Sequence, residues 1–185
     1  MYEASDSSLM QAVREGDLGA LAILFERHHR PLFNYFVHMN GNRELSEDLV
    51  QDVFVRMLKY RQSYQPARAF AAWMYQIARN AQADSIGKRK LEVALPDREF
   101  ASVNVMEENL KRRQEISILK RAMARLPVEK RELLVLSRFQ NLKYEEIASI
   151  LGCDVGAVKV RVYRAVRALG EIYFELSGES AQRGA

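Results

Sequence analysis

Apolar side chains recur at spacings of three and four along most of this chain, and sustained alternation is nearly absent. That period is helical, so the pattern predicts an all-α protein. A short helix is expected over 8–15. Asp17 is placed to cap the next, whose apolar side carries Leu21, Leu24, Phe25, Leu32, Phe36 and Met39. Pro31 should kink it, and Asn40, Gly41 and Asn42 should end it. Ser46 is expected to cap a third helix reaching about Tyr60, with Glu47 and Asp48 in its first turn, where the helix dipole favours negative charge. Residues 63–67, with Pro66, read as a loop, and the helix after it runs from Ala69 to about Ile86. Between 91 and 109 the period dissolves around Pro96, Asp97, Ser102 and Asn104. It returns near Leu110, with Ile116, Leu119, Met123 and Leu126 on one face. Pro127 then opens a helix to about Phe139, and residues 177–185 read as a frayed tail. The expected architecture is two small helical domains, 8–90 and 116–176, joined by a flexible linker at 91–115.

The densest local pattern lies in the second domain. Ile147, Ile150 and Leu151 give a short helix one apolar face, and Gly152 ends it in a backbone region that costs glycine nothing. Asp154 is placed to cap the helix that follows. Val155, Val158, Val162, Ala165, Val166 and Leu169 form its apolar side; Lys159, Arg161, Arg164 and Arg167 form the other, with no acidic residue in 155–170. Ala148 is small where two crossing helices must approach closely. Two short helices, a tight turn and a basic second helix form the pattern of a DNA-binding helix-turn-helix.

Charge distribution sharpens this. The 185 residues carry a net charge of only +4. Residues 1–90 hold 12 basic and 10 acidic side chains, 91–119 hold 4 and 6, and 120–185 hold 12 and 8, so the helix-turn-helix end has the largest positive excess. No run approaches the roughly 20 apolar residues of a membrane span, and residues 1–17 have no signal-peptide core. The single cysteine, Cys153, has no disulfide partner in the chain and is expected as a small buried residue in the turn. A cytoplasmic location is the expectation.

The first domain carries two further surfaces. On the third helix, Leu49, Val53 and Met57 form one apolar row, and Val50, Phe54 and Leu58 a second. Asp48 and Asp52, four apart and beside Gln51 and Val55, repel each other unless Arg56 relieves Asp52. They read either as a solvated face or as an acidic docking face for a basic partner. On the fourth helix, Phe70, Met74, Ile77, Ala78 and Ala81 look like core. Trp73, Gln76, Asn80 and Asp84 share another side, with Arg79 adjacent and Lys88, Arg89 and Lys90 at the end. Tyr64 and Arg68 lie just upstream. An aromatic ring for stacking, an amide for a base edge and a basic end suit single-stranded or melted DNA, although one Trp on a helix is more often core.

Four stretches, in this order, resemble the extracytoplasmic-function group of RNA polymerase sigma factors. They are residues 47–54 (EDLVQDVF), residues 70–80 (FAAWMYQIARN) with Asp84 and residues 88–90 (KRK), residues 126–131 (LPVEKR), and residues 144–148 (YEEIA) through 156–165 (GAVKVRVYRA). The resemblance implies that Asp48, Gln51, Asp52 and Val55 dock on a coiled coil of the polymerase's largest subunit. It implies that Tyr64, Arg68, Trp73, Gln76, Arg79, Asn80, Asp84, Lys88 and Arg89 capture bases of the minus-ten promoter element. Tyr144, Ala157, Lys159, Val160, Arg161, Arg164 and Arg167 would read the minus-thirty-five element, while the second domain docks on the flap of the second-largest subunit. It also implies a partner anti-sigma factor, no cofactor and no metal, no catalysis by this chain, and association with the nucleoid inside the holoenzyme. The family often has Thr and Ser where this chain has Ala157 and Val160, which leaves the promoter sequence open. The melting helix ends in three consecutive basic residues, Lys88, Arg89 and Lys90, fewer than in many relatives. No further sensing domain is expected after the second domain.

Two other classes remain open on sequence. A regulator acting on duplex DNA alone would use the same helix-turn-helix, but would bind its operator without polymerase. An enzyme would need a reactive cluster, and His28, His29 and His38 share one helix with no carboxylate or cysteine set to complete a metal site.

Overall fold

A computed structural model of the chain describes residues 4–92 and 110–178. Its eight α-helices are α1 (Asp6–Glu15), α2 (Leu18–Asn40), α3 (Arg43–Lys59), α4 (Phe70–Glu92), α5 (Leu110–Arg125), α6 (Val128–Leu134), α7 (Tyr144–Leu151) and α8 (Val155–Ser177). No strand occurs among the described residues.

Local chemistry sets the helix ends. Asp17 Oδ1 accepts from the N–H groups of Gly19 and Ala20, satisfying donors that the first turn of α2 leaves free. Gly41, left-handed at φ 72°, closes the same helix. α2 is continuous through Pro31, so the expected kink does not divide it. Ser46 is not the cap of α3. Asn42 takes that place one turn earlier, its Oδ1 accepting from Leu45 N–H at 2.9 Å. The Ser46 hydroxyl is buried and donates to the Asn42 carbonyl at 2.6 Å, as serine does inside a helix. The acidic residue of the first turn is therefore Glu44, not Glu47 or Asp48.

Helices α1–α4 enclose a core of Met10, Val13, Leu24, Leu32, Phe36, Val53, Met57, Met74 and Ala78. The same continuous cluster runs on through Leu126, the run 133–136, Ile147, Val158, Val162 and Ala165 of the C-terminal half. On α5 the buried residues are Ala122 and Met123, followed by Leu126 just past its end; Ile116 and Leu119 are exposed. α6 runs into a π-helical turn, Val135–Phe139.

The two halves pack on one another. α7 lies against α4, and α2 meets α6 and the π turn. Arg131, only 5% exposed, is the pin of this junction. Its guanidinium donates to the carbonyls of Met123, Ala124 and Leu126 at the end of α5, and to Met39 O of α2 at 2.9 Å. A buried charge is tolerated only when its donors are answered, and here carbonyls answer them. The expected linker at 91–115 lies mostly outside the described residues. Its two ends are helical: 91–92 close α4, and 110–115 open α5.

Candidate nucleic-acid interface

α7 and α8 form the expected pair. Gly152 turns left-handed at φ 63° and donates its N–H to Ala148 O, and the Cys153 N–H reaches the same carbonyl at 3.1 Å. Asp154 Oδ1 accepts from Ala157 N–H at 2.8 Å and starts α8. At the other end of α7, the Lys143 N–H donates to Glu146 Oε2 at 2.8 Å. Ile147, Ala148 and Ile150 bury against Val158, Val162 and Ala165. Cys153 is half-buried rather than buried. Val166 is 43% exposed, because the buried stripe follows Val158, Val162 and Ala165 and passes it by.

The opposite side of α8 is open. Lys159, Val160, Arg161, Arg164 and Arg167 are exposed, while Ala157 and Tyr144 are half-buried at the edge. None of the four cations makes an ion pair among the described residues. Unpaired guanidinium and ammonium groups on one helix face suit phosphate oxygens and guanine edges.

On α3, Asp48, Gln51 and Val55 are exposed, Val55 at 64%. Asp52 Oδ2 accepts from Arg56 Nε at 2.9 Å, and Arg56 also reaches Asp84 on α4 at 2.7 Å. These two bonds, that to Asp52 first, push the Arg56 pKa up against its burial. Arg56 thus relieves the repulsion between Asp48 and Asp52 and ties α3 to α4. An acidic edge with an exposed valine remains for a partner.

α4 differs from what its sequence suggests. Trp73 is 7% exposed and Tyr64 is 1% exposed, so neither ring presents a face to a base. They pack edge-on at 5.2 Å, with Phe70 beside both and His28 against Phe70. Burying two large rings in one cluster gains more than displaying them, so both sit beneath the α4 surface. The Tyr64 hydroxyl donates to Ser7 Oγ at 3.0 Å and anchors the 63–69 loop to α1. Asn80 and Asp84 are exposed and Gln76 is half-buried; Gln76 Nε2 lies 3.4 Å from Asn80 Oδ1. Lys88 and Arg89 belong to the last turns of α4, and their side chains lie outside the described ones.

Sequence reading missed a cluster where the two halves meet. Glu132 Oε1, on α6, accepts from the Tyr35 hydroxyl at 3.1 Å and forms an ion pair with Arg79, whose Nε lies 3.2 Å away. Burial raises the Glu132 pKa, with Arg79 and the Tyr35 bond opposing, and burial beside Glu132 raises that of Tyr35. The Tyr75 hydroxyl donates to Gln140 Oε1 at 2.8 Å, and Arg68 donates to Ser149 Oγ at 3.1 Å. His38 packs against Phe139 with the rings tilted by 38° and their centroids 4.1 Å apart, and burial, then Lys120, lowers its pKa. The available signal was Glu132, a carboxylate opening the apolar run 133–136. A charge in such a place needs a partner.

Taken together, an all-helical chain with a helix-turn-helix, an acidic helix edge and a polar helix ending in basic residues defines a DNA-binding protein with a second, protein-facing surface. The Sigma-70 region 2 family pattern matches residues 24–92, and the Sigma-70, region 4 pattern matches residues 116–169. The chain is 31% identical over 140 residues to the ECF RNA polymerase sigma factor EcfG of Rhodopseudomonas palustris, covering 76% of this chain and 77% of that one. It is 30% identical over 179 residues to the RNA polymerase sigma factor CarQ of Myxococcus xanthus, covering 94% and 100%. Among solved structures it resembles the sigma factor RpoE of Bartonella quintana, solved with the anti-sigma factor NepR. The TM-score is 0.70 at 25% identity, over 88% of this chain and 98% of that one. The fold is also that of CnrH, solved with the cytosolic domain of CnrY: TM-score 0.71, 24% identity, 95% and 99% coverage. The chain belongs to the extracytoplasmic-function RNA polymerase sigma factors. It is a non-enzymatic initiation factor that binds core RNA polymerase and directs promoter-specific transcription through minus-ten and minus-thirty-five elements. No helix among the described residues is long and apolar enough to cross a membrane.

Proposed function

We propose the following division of labour within that activity. The first domain, 8–90, docks through Asp48, Gln51, Asp52 and Val55 on the coiled coil of the polymerase's largest subunit. Arg68, Gln76, Arg79, Asn80, Asp84, Lys88 and Arg89 capture the flipped non-template bases of the minus-ten element and their phosphates. Tyr64 and Trp73 support that surface from beneath. The second domain, 116–176, docks on the flap of the second-largest subunit. Lys159, Arg161, Arg164 and Arg167 bind and read minus-thirty-five DNA, while Ala157 and Val160 offer methyl groups of the kind that contact thymine and Tyr144 sits at the edge. The connecting segment passes near the RNA exit path. An anti-sigma factor is the regulatory partner, as NepR is for its sigma factor. The protein works in the cytoplasm, on the nucleoid when in holoenzyme.

The observation that carries this reading is the unpaired, exposed cation row of α8 beside a separate, exposed acidic edge on α3. The test is holoenzyme reconstitution with single variants. Asp52→Arg is expected to abolish assembly with core polymerase while the chain stays folded, since Asp84 still holds Arg56. Asn80→Ala should assemble normally but lose promoter opening. Normal assembly by Asp52→Arg removes the docking assignment. Tight operator-like binding without polymerase, together with no initiation, would reassign the chain to regulators acting on duplex DNA alone.

A further inference from the structure

Resting on the assignment of Arg68 and its loop to the minus-ten element, we propose that α1 is the splint of that loop. Ser7, acting through Tyr64, is a positioning residue that sets how sharply the loop tells one captured base from another. α1 lies ahead of residues 24–92, the stretch that carries the Sigma-70 region 2 pattern.

The loop has little to hold it from within. Of residues 61–69, Tyr64 alone is buried, Arg61 is half-buried and the rest are exposed. So exposed a segment keeps one shape only if its few inward bonds are firm. Those bonds run to α1. The Tyr64 hydroxyl donates to Ser7 Oγ at 3.0 Å, and the Arg68 carbonyl lies 3.5 Å from the same Tyr64 oxygen. That hydroxyl therefore stands between α1 and the backbone that carries Arg68. Nearer the start of the loop, Gln62 Nε2 donates to the Arg14 carbonyl at 3.0 Å. Arg14 is in the last turn of α1, where carbonyls lack helical partners.

α1 is itself firmly seated. Leu9, Met10 and Val13 are buried in the core. Asp6 pairs with Arg27 at 2.8 Å and bonds His28 at 2.7 Å, both on α2. The His28 ring in turn lies against Phe70, where α4 begins. The loop is thus tied to a body that is fixed before DNA arrives.

A site discriminates when it cannot reshape itself around the wrong base. Freed from Ser7, the loop would sample shapes that admit other bases. Selectivity would then fall further than the overall hold on the strand, because phosphate contacts carry no sequence information.

The experiment offers reconstituted holoenzyme a pool of short single-stranded oligonucleotides of randomised sequence and sequences the bound fraction. The readout is the enrichment ratio of favoured over disfavoured base at each position. Ser7→Ala is expected to lower that ratio about fivefold at neighbouring positions, the worth of one hydrogen bond, and to leave the rest alone. Ser7→Thr keeps the hydroxyl and should restore the ratio. Tyr64→Phe should match Ser7→Ala, and the double variant should be no worse than either. Unchanged ratios in Ser7→Ala overturn the proposal. So does an equal loss of binding by all sequences, which is what a merely structural role would give. Arg68→Ala separates the causes of failure. If it shifts the ratios where Ser7→Ala does not, the loop meets DNA and only the splint fails. If it shifts none, or if the wild type prefers no base at any position, the assignment of the loop itself is wrong.

Discussion

α4 and α8 are both 23 residues long, and both carry a candidate DNA face, yet the protein treats them in opposite ways. On α8 the cations stand free in solvent, opposite a narrow buried stripe of Val158, Val162 and Ala165. On α4 several groups of that face are already engaged, Arg79 with Glu132, Asp84 with Arg56 and Trp73 with the aromatic cluster, while Asn80 stays exposed. α8 buries one face against α5, α6 and α7 and displays the other. α4 packs on α3 on one side and on α7 on another, and among its described side chains Asn80, Ala83, Asp84 and Gly87 stand in water. Display suits a helix that enters the groove of a duplex. Enclosure suits a surface that meets DNA only after strands part.

The contrast can be broken hardest at Trp73. Trp73→Ala should destabilise the chain by about 3–5 kcal/mol, as loss of a core aromatic does, read as a shift in the denaturant midpoint of unfolding. An unchanged midpoint with weakened single-strand binding would return the ring to the DNA surface. On the other helix, Arg164→Ala should leave the midpoint in place and weaken holoenzyme binding to minus-thirty-five duplex by about 1–3 kcal/mol if the guanidinium makes a bidentate base contact. A fall in stability instead would mean that the cation row of α8 is structural.

A smaller effect should appear with pH. In the closed chain the pKa of His38 lies below its ordinary value of 6.5, because burial and then Lys120 disfavour its charge. The contribution of His38 to domain packing is therefore complete above about pH 6.5, where the free imidazole is neutral, and is lost as pH falls through that value towards the depressed one. Glu132 acts in the opposite sense. Its raised pKa means that protonation favours the packed state, between that raised value and 4.5. Protonation of His38 on acidification should thus loosen the junction, seen in the Glu132→Gln background, where the opposing group is gone, as a rise in small-angle scattering radius. His38→Phe should remove this rise, and its persistence in that variant would shift the cause elsewhere.

What could be read from sequence, and what could not, divides along the same line. The helix-turn-helix was legible because its determinants are local: the glycine, the capping aspartate and the apolar stripe all act within a few residues of one another. Asp17 and the 40–42 stop were legible for the same reason. Ser46 misled because Asn42, one turn earlier, offers an equally good capping oxygen. The burial of Trp73 and Tyr64 was not legible, because period alone says which residues share a face, not what that face meets. The junction was invisible because its bonds join distant residues: Tyr75 and Gln140 are 65 positions apart, Tyr35 and Glu132 are 97 apart. Only the oddity of a carboxylate opening the run 133–136 pointed there.

The open cation face of α8 and the partly covered face of α4 differ because the two halves of the chain pack on one another. The most direct measurement of that packing is the distance between probes attached at the exposed positions Glu44 on α3 and Glu171 on α8, taken for the free chain. The account predicts one short, narrow distance. A long or broadly spread distance in the free chain would contradict it.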